Sequence, residues 1–199
     1  MDAILGRIGR QRLGLLMTFA HAIALTSASA QEQPLGVELR PFVGGCIPTG
    51  DHAGVLKAGA LLGLQLAFEI NRHLSVVGGA AWSSSADKTA AVDRRVDIYH
   101  YDVGAEAGVS KPLGGRTVLR PFIGLGGGGR SFGYRGPDPR PQHTFGGYGA
   151  LGSQLQMGRI GARIEVRDYV TAFKGLHGEL RQRAARNDVT IAGGVSVTL

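Results

Sequence analysis

The sequence predicts an all-β protein, an eight-stranded antiparallel up-and-down barrel that crosses a membrane. Three observations point there. Side chains alternate apolar and polar at period two along much of the chain, the pattern of strands whose successive residues face opposite sides. The connections between these segments alternate short and long, as in barrels with tight turns at one end and loops at the other. The polar face mixes Arg and carboxylates in near balance, which suits a confined interior.

The first thirty residues read as a secretory signal. Arg7, Arg10 and Arg12 form a basic start, Leu13 to Leu25 an apolar run, and Ala28-Ser29-Ala30 a small-residue cleavage site. The run is thirteen residues long, short of the ~20 that a helix needs to span a bilayer. Cleavage after Ala30 leaves residues 31–199 as the barrel domain. It also changes 22 basic and 15 acidic residues to 19 and 14, so the mature charge is +5. With 33 Gly among 199 residues and a single cysteine, Cys46, the chain can form no internal disulfide and no Cys-based zinc cluster.

Strands are expected at Leu35–Ile47, Gly59–Ile70, Leu74–Ser84, Asp97–Val109, Thr117–Gly133, Phe145–Met157, Arg159–Val170 and Asp188–Leu199. In the second, Leu62, Leu64, Leu66 and Phe68 share one face. In the fourth, Tyr99, Tyr101, Val103, Ala105, Ala107 and Val109 oppose His100, Asp102, Gly104, Glu106 and Gly108. The seventh sets Ile160, Ala162, Ile164 and Val166 against Arg163, Glu165, Arg167 and Tyr169. Arg40-Pro41-Phe42-Val43-Gly44 and Arg120-Pro121-Phe122-Ile123-Gly124 form a short internal repeat that opens each half of the array. Short connections fall at Asn71–His73, Ser110–Arg116 and Gly158-Arg159; longer polar ones fall at Pro48–Leu56, Ser83–Val96, Tyr134–Thr144 and Thr171–Asn187.

Periodicity alone does not say which face is outside. A soluble barrel buries its apolar face, whereas in lipid the sheet must close and turn that face outward. The polar positions are Glu38, Arg40, Glu69, Asp102, Glu106, Arg120, Arg163, Glu165 and Arg167, five acids and four Arg without a Lys. Intervening glycines leave room for long Arg side chains in an eight-stranded interior that is only just wide enough to be filled. Tyr99, Tyr101 and Phe68 fall near strand ends, where interfacial aromatics belong. The expectation is therefore lipid outside and a packed, ion-paired lumen that is not an open pore.

These features together resemble the small outer-membrane β-barrel family of the OmpA/OmpX type. The resemblance is carried by the two Arg-Pro-Phe-hydrophobic-Gly openings, the Gly-rich Gly124–Gly129 and the closing alternation Asp188–Leu199. It covers essentially all of Gln31–Leu199 and implies an outer-membrane location, insertion by the barrel-assembly machinery, a monomer, and a structural or adhesive role. Such barrels usually end in an aromatic residue; this chain ends in Leu199.

Other motifs are weaker. Gly124–Gly129 satisfies the dinucleotide-binding glycine pattern, but no helix follows to hold a pyrophosphate; in a strand such glycines admit side chains inserted from across the barrel. His52, His100, His143 and His177 are scattered without metal-ligand spacing, and no cofactor is implied. A nucleophile needs a base within hydrogen-bond reach and a third group orienting that base. His73 and Ser75 lie two apart, and His100 shares a face with Asp102 and Glu106 but has no flanking serine, so Ser84 or Ser85 would have to fold inward to reach it. The alternatives to a structural barrel are a lipid A-modifying enzyme built on such a pair and a soluble periplasmic barrel that binds an apolar ligand. Lys174, Arg181, Arg183 and Arg186 concentrate in the last long connection against Glu179. With no interleaved aromatics they do not suit nucleic acid, but they could pair with lipopolysaccharide phosphates.

Overall fold

The computed structural model describes residues 36–49, 52–88, 94–134, 142–173 and 184–199. The chain divides into two units, Met1–Gln33 and Pro34–Leu199. Residues 1–30, expected to be a signal segment, lie outside the described residues.

The second unit is built of strands β1 (Val37–Pro48), β2 (Gly59–Glu69), β3 (Leu74–Asp87), β4 (Arg94–Gly108), β5 (Lys111–Gly114), β6 (Thr117–Tyr134), β7 (Gln142–Met157), β8 (Ile160–Phe173) and β9 (Ala184–Thr198), with one short helix, α1 (His52–Val55). Except for β4 and β5, sequence neighbours pair antiparallel; β1 pairs with β9, and β4 pairs with β6, which closes the sheet. β5 is a stub that pairs only with the start of β6. The barrel therefore has eight staves, as the alternation predicts.

The two faces are sorted as the sequence implies. Leu62, Leu64 and Leu66 are 56%, 44% and 41% exposed on the outside, whereas Glu106 and Arg163 are 4% and 7% exposed inside. A water-soluble barrel would show the reverse. Val103, Leu125, Leu151, Ile164 and Ile191 extend this outer apolar band around the wall.

The structure departs from the predicted boundaries mainly at the loop end. There β3 runs on to Asp87, β6 to Tyr134 and β8 to Phe173, while β4 begins at Arg94, β7 at Gln142 and β9 at Ala184. Staves of 14–18 residues exceed the ~9–11 that cross a bilayer, so the wall continues past the apolar band. Ladder hydrogen bonds hold it there after the apolar alternation fades, which is why a reading by hydropathy stops early. Arg186 consequently lies in β9, opposite Thr171, and not in a loop; Lys174, Arg181 and Arg183 lie outside the described residues.

The predicted turn at Ser110–Arg116 is a small hairpin in which Lys111 pairs with Leu119. Gly114 and Gly115 have φ of 112° and 58°, values that a residue with a Cβ rarely adopts. Gly158, at φ 64°, does the same work between β7 and β8.

Candidate functional site

The chemistry of this molecule is concentrated in the lumen. All nine charges expected there are present on the inner face. Seven of them form one unbroken chain of alternating sign. Arg40 donates to Glu38 through Nε (2.8 Å) and to Glu106 through Nη1 (2.9 Å). Arg163 reaches the other oxygen of Glu106 and one of Glu165, both at 2.5 Å. Arg167 pairs with Glu165 and, at 3.4 Å, with Asp102, and Tyr169 donates its hydroxyl to Asp102 at 2.5 Å. The remaining two, Arg120 and Glu69, meet at 3.6 Å nearer the turn end, where Arg120 also donates to Ser75.

Pairing of this kind is what allows ions to be buried at all. An isolated charge in a dry interior costs several kcal/mol, and one missing partner strands the other. Rings supply further contact: the Arg163 guanidinium lies 3.6 Å from the Phe122 centroid, Arg130 4.1 Å from Tyr169 and Arg167 4.6 Å from Tyr148, an arrangement that adds attraction between cation and π-face. The glycines provide the slots. A Cβ on Gly126 would collide with the Tyr148 ring, and one on Gly152 with Phe122. The Gly-rich stretch was expected to admit side chains from across the barrel; at Gly126 the ring that fills the slot instead comes from the neighbouring strand, where Tyr148 is its register partner.

The repeat has a structural counterpart. β1 and β6 stand four staves apart in the closed ring, so the two Arg-Pro-Phe units enter the lumen from opposite sides. Each places its Arg inward, with Arg40 and Arg120 both buried and Pro41 and Pro121 both exposed.

Sequence reasoning missed two parts of the interior. One is a further ion pair, Arg130 with Asp188, buried on β6 and β9. The other is an apolar cluster at the loop end, formed by Leu56, Val96, Ile98 and Phe132. Val96 and Ile98 are in phase with His100, Asp102 and Glu106, and Phe132 is in phase with Arg130, so the inner parity was readable although its chemistry changes there. Leu56 reaches the cluster from the segment after α1. That segment is tied to β3 by Lys57 N to Ala86 O (2.9 Å) and Ser85 Oγ to Lys57 O (2.6 Å), while before α1 Thr49 N donates to Asn187 O of β9 (3.0 Å). Leu56 is thereby seated on Val96, Ile98 and Phe132.

Two cavities of about 20 and 10 Å³ border the ion chain, each on the scale of a single water. The larger is lined by Gln65, His100, Asp102, Arg167, Tyr169 and Thr190, among others, and the Gln65 Oε1 has no hydrogen-bond partner in the protein.

The candidate catalytic residues are rearranged relative to expectation. His73 Nδ1 sits 3.2 Å from the Gly108 carbonyl, and Ser75 is engaged by Arg120, so these two form no pair. His100 does have a serine, but it is Ser83, whose Oγ is 2.9 Å from Nε2; Ser84 and Ser85 lie farther along the extended β3. Ser83 and His100 are both buried, while Asp102 and Glu106 are committed to Tyr169 and to arginines. A second hydroxyl–imidazole contact, Ser131 Oγ to His143 Nδ1 at 2.7 Å, lies on the exposed outer side and continues to the Tyr101 hydroxyl at 3.1 Å. Sequence separation hid it, because β6 and β7 bring the two together only in register. Among the described residues, no group of three or more His, Cys, Asp or Glu is placed to hold a metal ion.

No family model and no curated protein matches the chain. Solved structures do. Neisserial surface protein A is similar with a TM-score of 0.57 at 13% identity, covering 82% of this chain and 97% of that one. OprG of Pseudomonas aeruginosa gives 0.53 at 15% identity over 86% and 99%. Ail, the attachment invasion locus protein of Yersinia pestis, solved with the heparin analogue sucrose octasulfate, gives 0.50 at 13% identity over 84% and 100%. The fold of this chain is that of the small outer-membrane β-barrels.

Proposed function

We propose that the protein is an exported, monomeric outer-membrane barrel that serves a structural or adhesive role and does not conduct solutes. The observation that carries this reading is the unbroken ion chain from Glu38 to Asp102 beneath an apolar cap: it fills the cross-section with paired groups where a channel would need water. The outward apolar band supports a membrane position and disfavours the soluble-binder alternative, which requires that face inside. Likeness to Ail supports an adhesive use of the rim, and lipopolysaccharide phosphates suit Lys174, Arg181, Arg183 and Arg186. Planar-bilayer recording tests the plug. The purified barrel is expected to show no steady conductance on the scale of a general porin, and such conductance would overturn the reading.

A second reading rests on Ser131 and His143. A hydroxyl with an adjacent base on the outer surface is the starting point for acyl transfer from a membrane ester, although its third member, Tyr101, is a phenol and not a carboxylate. Turnover of lipid A acyl esters by the purified protein, lost in Ser131→Ala, would favour it; no turnover by the wild type would remove it.

A further inference from the structure

Among the described residues, the two ends of the barrel differ in charge. At the turn end, the β2–β3 connection carries Arg72, the β4–β6 connection carries Lys111 and Arg116, and the β7–β8 connection carries Arg159, and all four are exposed. Among the described residues these three connections contain no Asp or Glu; Glu69, at the end of β2, pairs with Arg120, and the last residue, Leu199, follows Thr198, whose N–H donates to the Arg159 carbonyl (2.8 Å). At the loop end the exposed ions among the described residues are mixed, with Lys57, Lys88 and Arg95 alongside Asp168.

The basic turns also carry exposed apolar side chains. Ile70, Val109 and Leu113 are each more than half exposed and sit in the same connections as the cations. A soluble polyanion would have no use for these. A bilayer surface takes both, with the apolar groups in the acyl boundary and the long basic side chains extended to the phosphates. Because the chain passes up and down, all three turns emerge at one end, and their charged side chains together form a basic collar.

We infer that this collar is a binding surface for anionic phospholipid headgroups in the leaflet at the turn end. The inference rests on the membrane-spanning reading above. Each Lys or Arg close to an anionic bilayer surface strengthens binding by a factor of about five, so four acting together would select phosphatidylglycerol strongly over phosphatidylcholine and would tie the barrel's height and tilt to that leaflet. Attraction of this type weakens as salt screens it.

The test reconstitutes the barrel in vesicles of equimolar phosphatidylglycerol and phosphatidylcholine, extracts it gently, and reads the retained lipid by native mass spectrometry. Wild-type protein is expected to retain phosphatidylglycerol preferentially. The variant Arg72→Gln, Lys111→Gln, Arg116→Gln, Arg159→Gln is expected to lose that preference, each single change lowering it by about five-fold. The loop-end variant Lys57→Gln, Lys88→Gln, Arg95→Gln is expected to keep it. Equal retention by wild type and the turn-end variant, equal loss in the loop-end variant, or displacement of the lipid by inorganic phosphate would each overturn the inference. Heat-modifiable gel migration after insertion into phosphatidylcholine alone is scored in parallel; failure of the wild type there would count against the membrane reading, whatever its lipid preference.

Discussion

Two regions of one lumen are packed by opposite rules. Around Glu106 the interior is polar and filled by paired Arg and carboxylates, while around Phe132, farther along the same staves, it is an ordinary apolar cluster. The wall explains the change. Where the outside is oily, the inward positions are free to carry ions, and the fold is held by closed hydrogen bonding and by pairing within. Where the staves rise past the apolar band, they meet water outside, so the interior reverts to the packing of a soluble protein. The boundary between the two runs near the aromatic residues Tyr99, Tyr101 and Phe145, all exposed on the outer wall.

The largest break in this comparison should come from Glu106, which bridges Arg40 and Arg163. Glu106→Ala removes one carboxylate from each of two buried guanidiniums, leaving Arg40 with Glu38 and Arg163 with Glu165, and is expected to cost about 3 kcal/mol, measured as a shift in the urea midpoint of the barrel in lipid vesicles. The outer wall comes next. Leu64→Arg, in the apolar band, is expected to cost about 2–4 kcal/mol in the same assay, whereas Ser84→Arg, on the same outward parity of β3 but toward the loop end, should cost about 0–1 kcal/mol. Equal penalties at the two sites would erase the proposed boundary. In the cap, Leu56→Ala is expected to cost about 2–3 kcal/mol, at the low end for a buried leucine because it sits on a connecting segment that can settle into the space. It should leave the ion chain intact, so conductance recordings should stay silent.

How much of this was legible follows from what each signal encodes. Period two revealed the staves, the outward Leu62–Leu64–Leu66 row and all nine inward charges, since the parity of a strand is written in its side chains. It said nothing about partners: that Glu106 bridges two arginines from different staves depends on barrel register. The cap was invisible for a chemical reason. Val96 and Ile98 occupy inward positions, but a reading that equates inward with polar passes over them. Ser83 was missed although it fell inside the predicted third strand, because only the β3–β4 register brings it to His100, and the Ser131–His143 contact because the pair is assembled across a loop by strand pairing. The basic turns were each visible as short connections; their common sign acquires meaning only once the topology sets them at one end.

The central claim is the orientation of the wall, and lipid-borne quenching tests it most directly. In a Cys46→Ser background, single cysteines replacing Leu62, Gly63, Leu64, Gln65 and Leu66 would carry a small fluorophore in vesicles doped with nitroxide lipid. The account predicts strong quenching at the three leucine positions and weak quenching at Gly63 and Gln65. Quenching of the opposite parity, or none at any of the five, would contradict it.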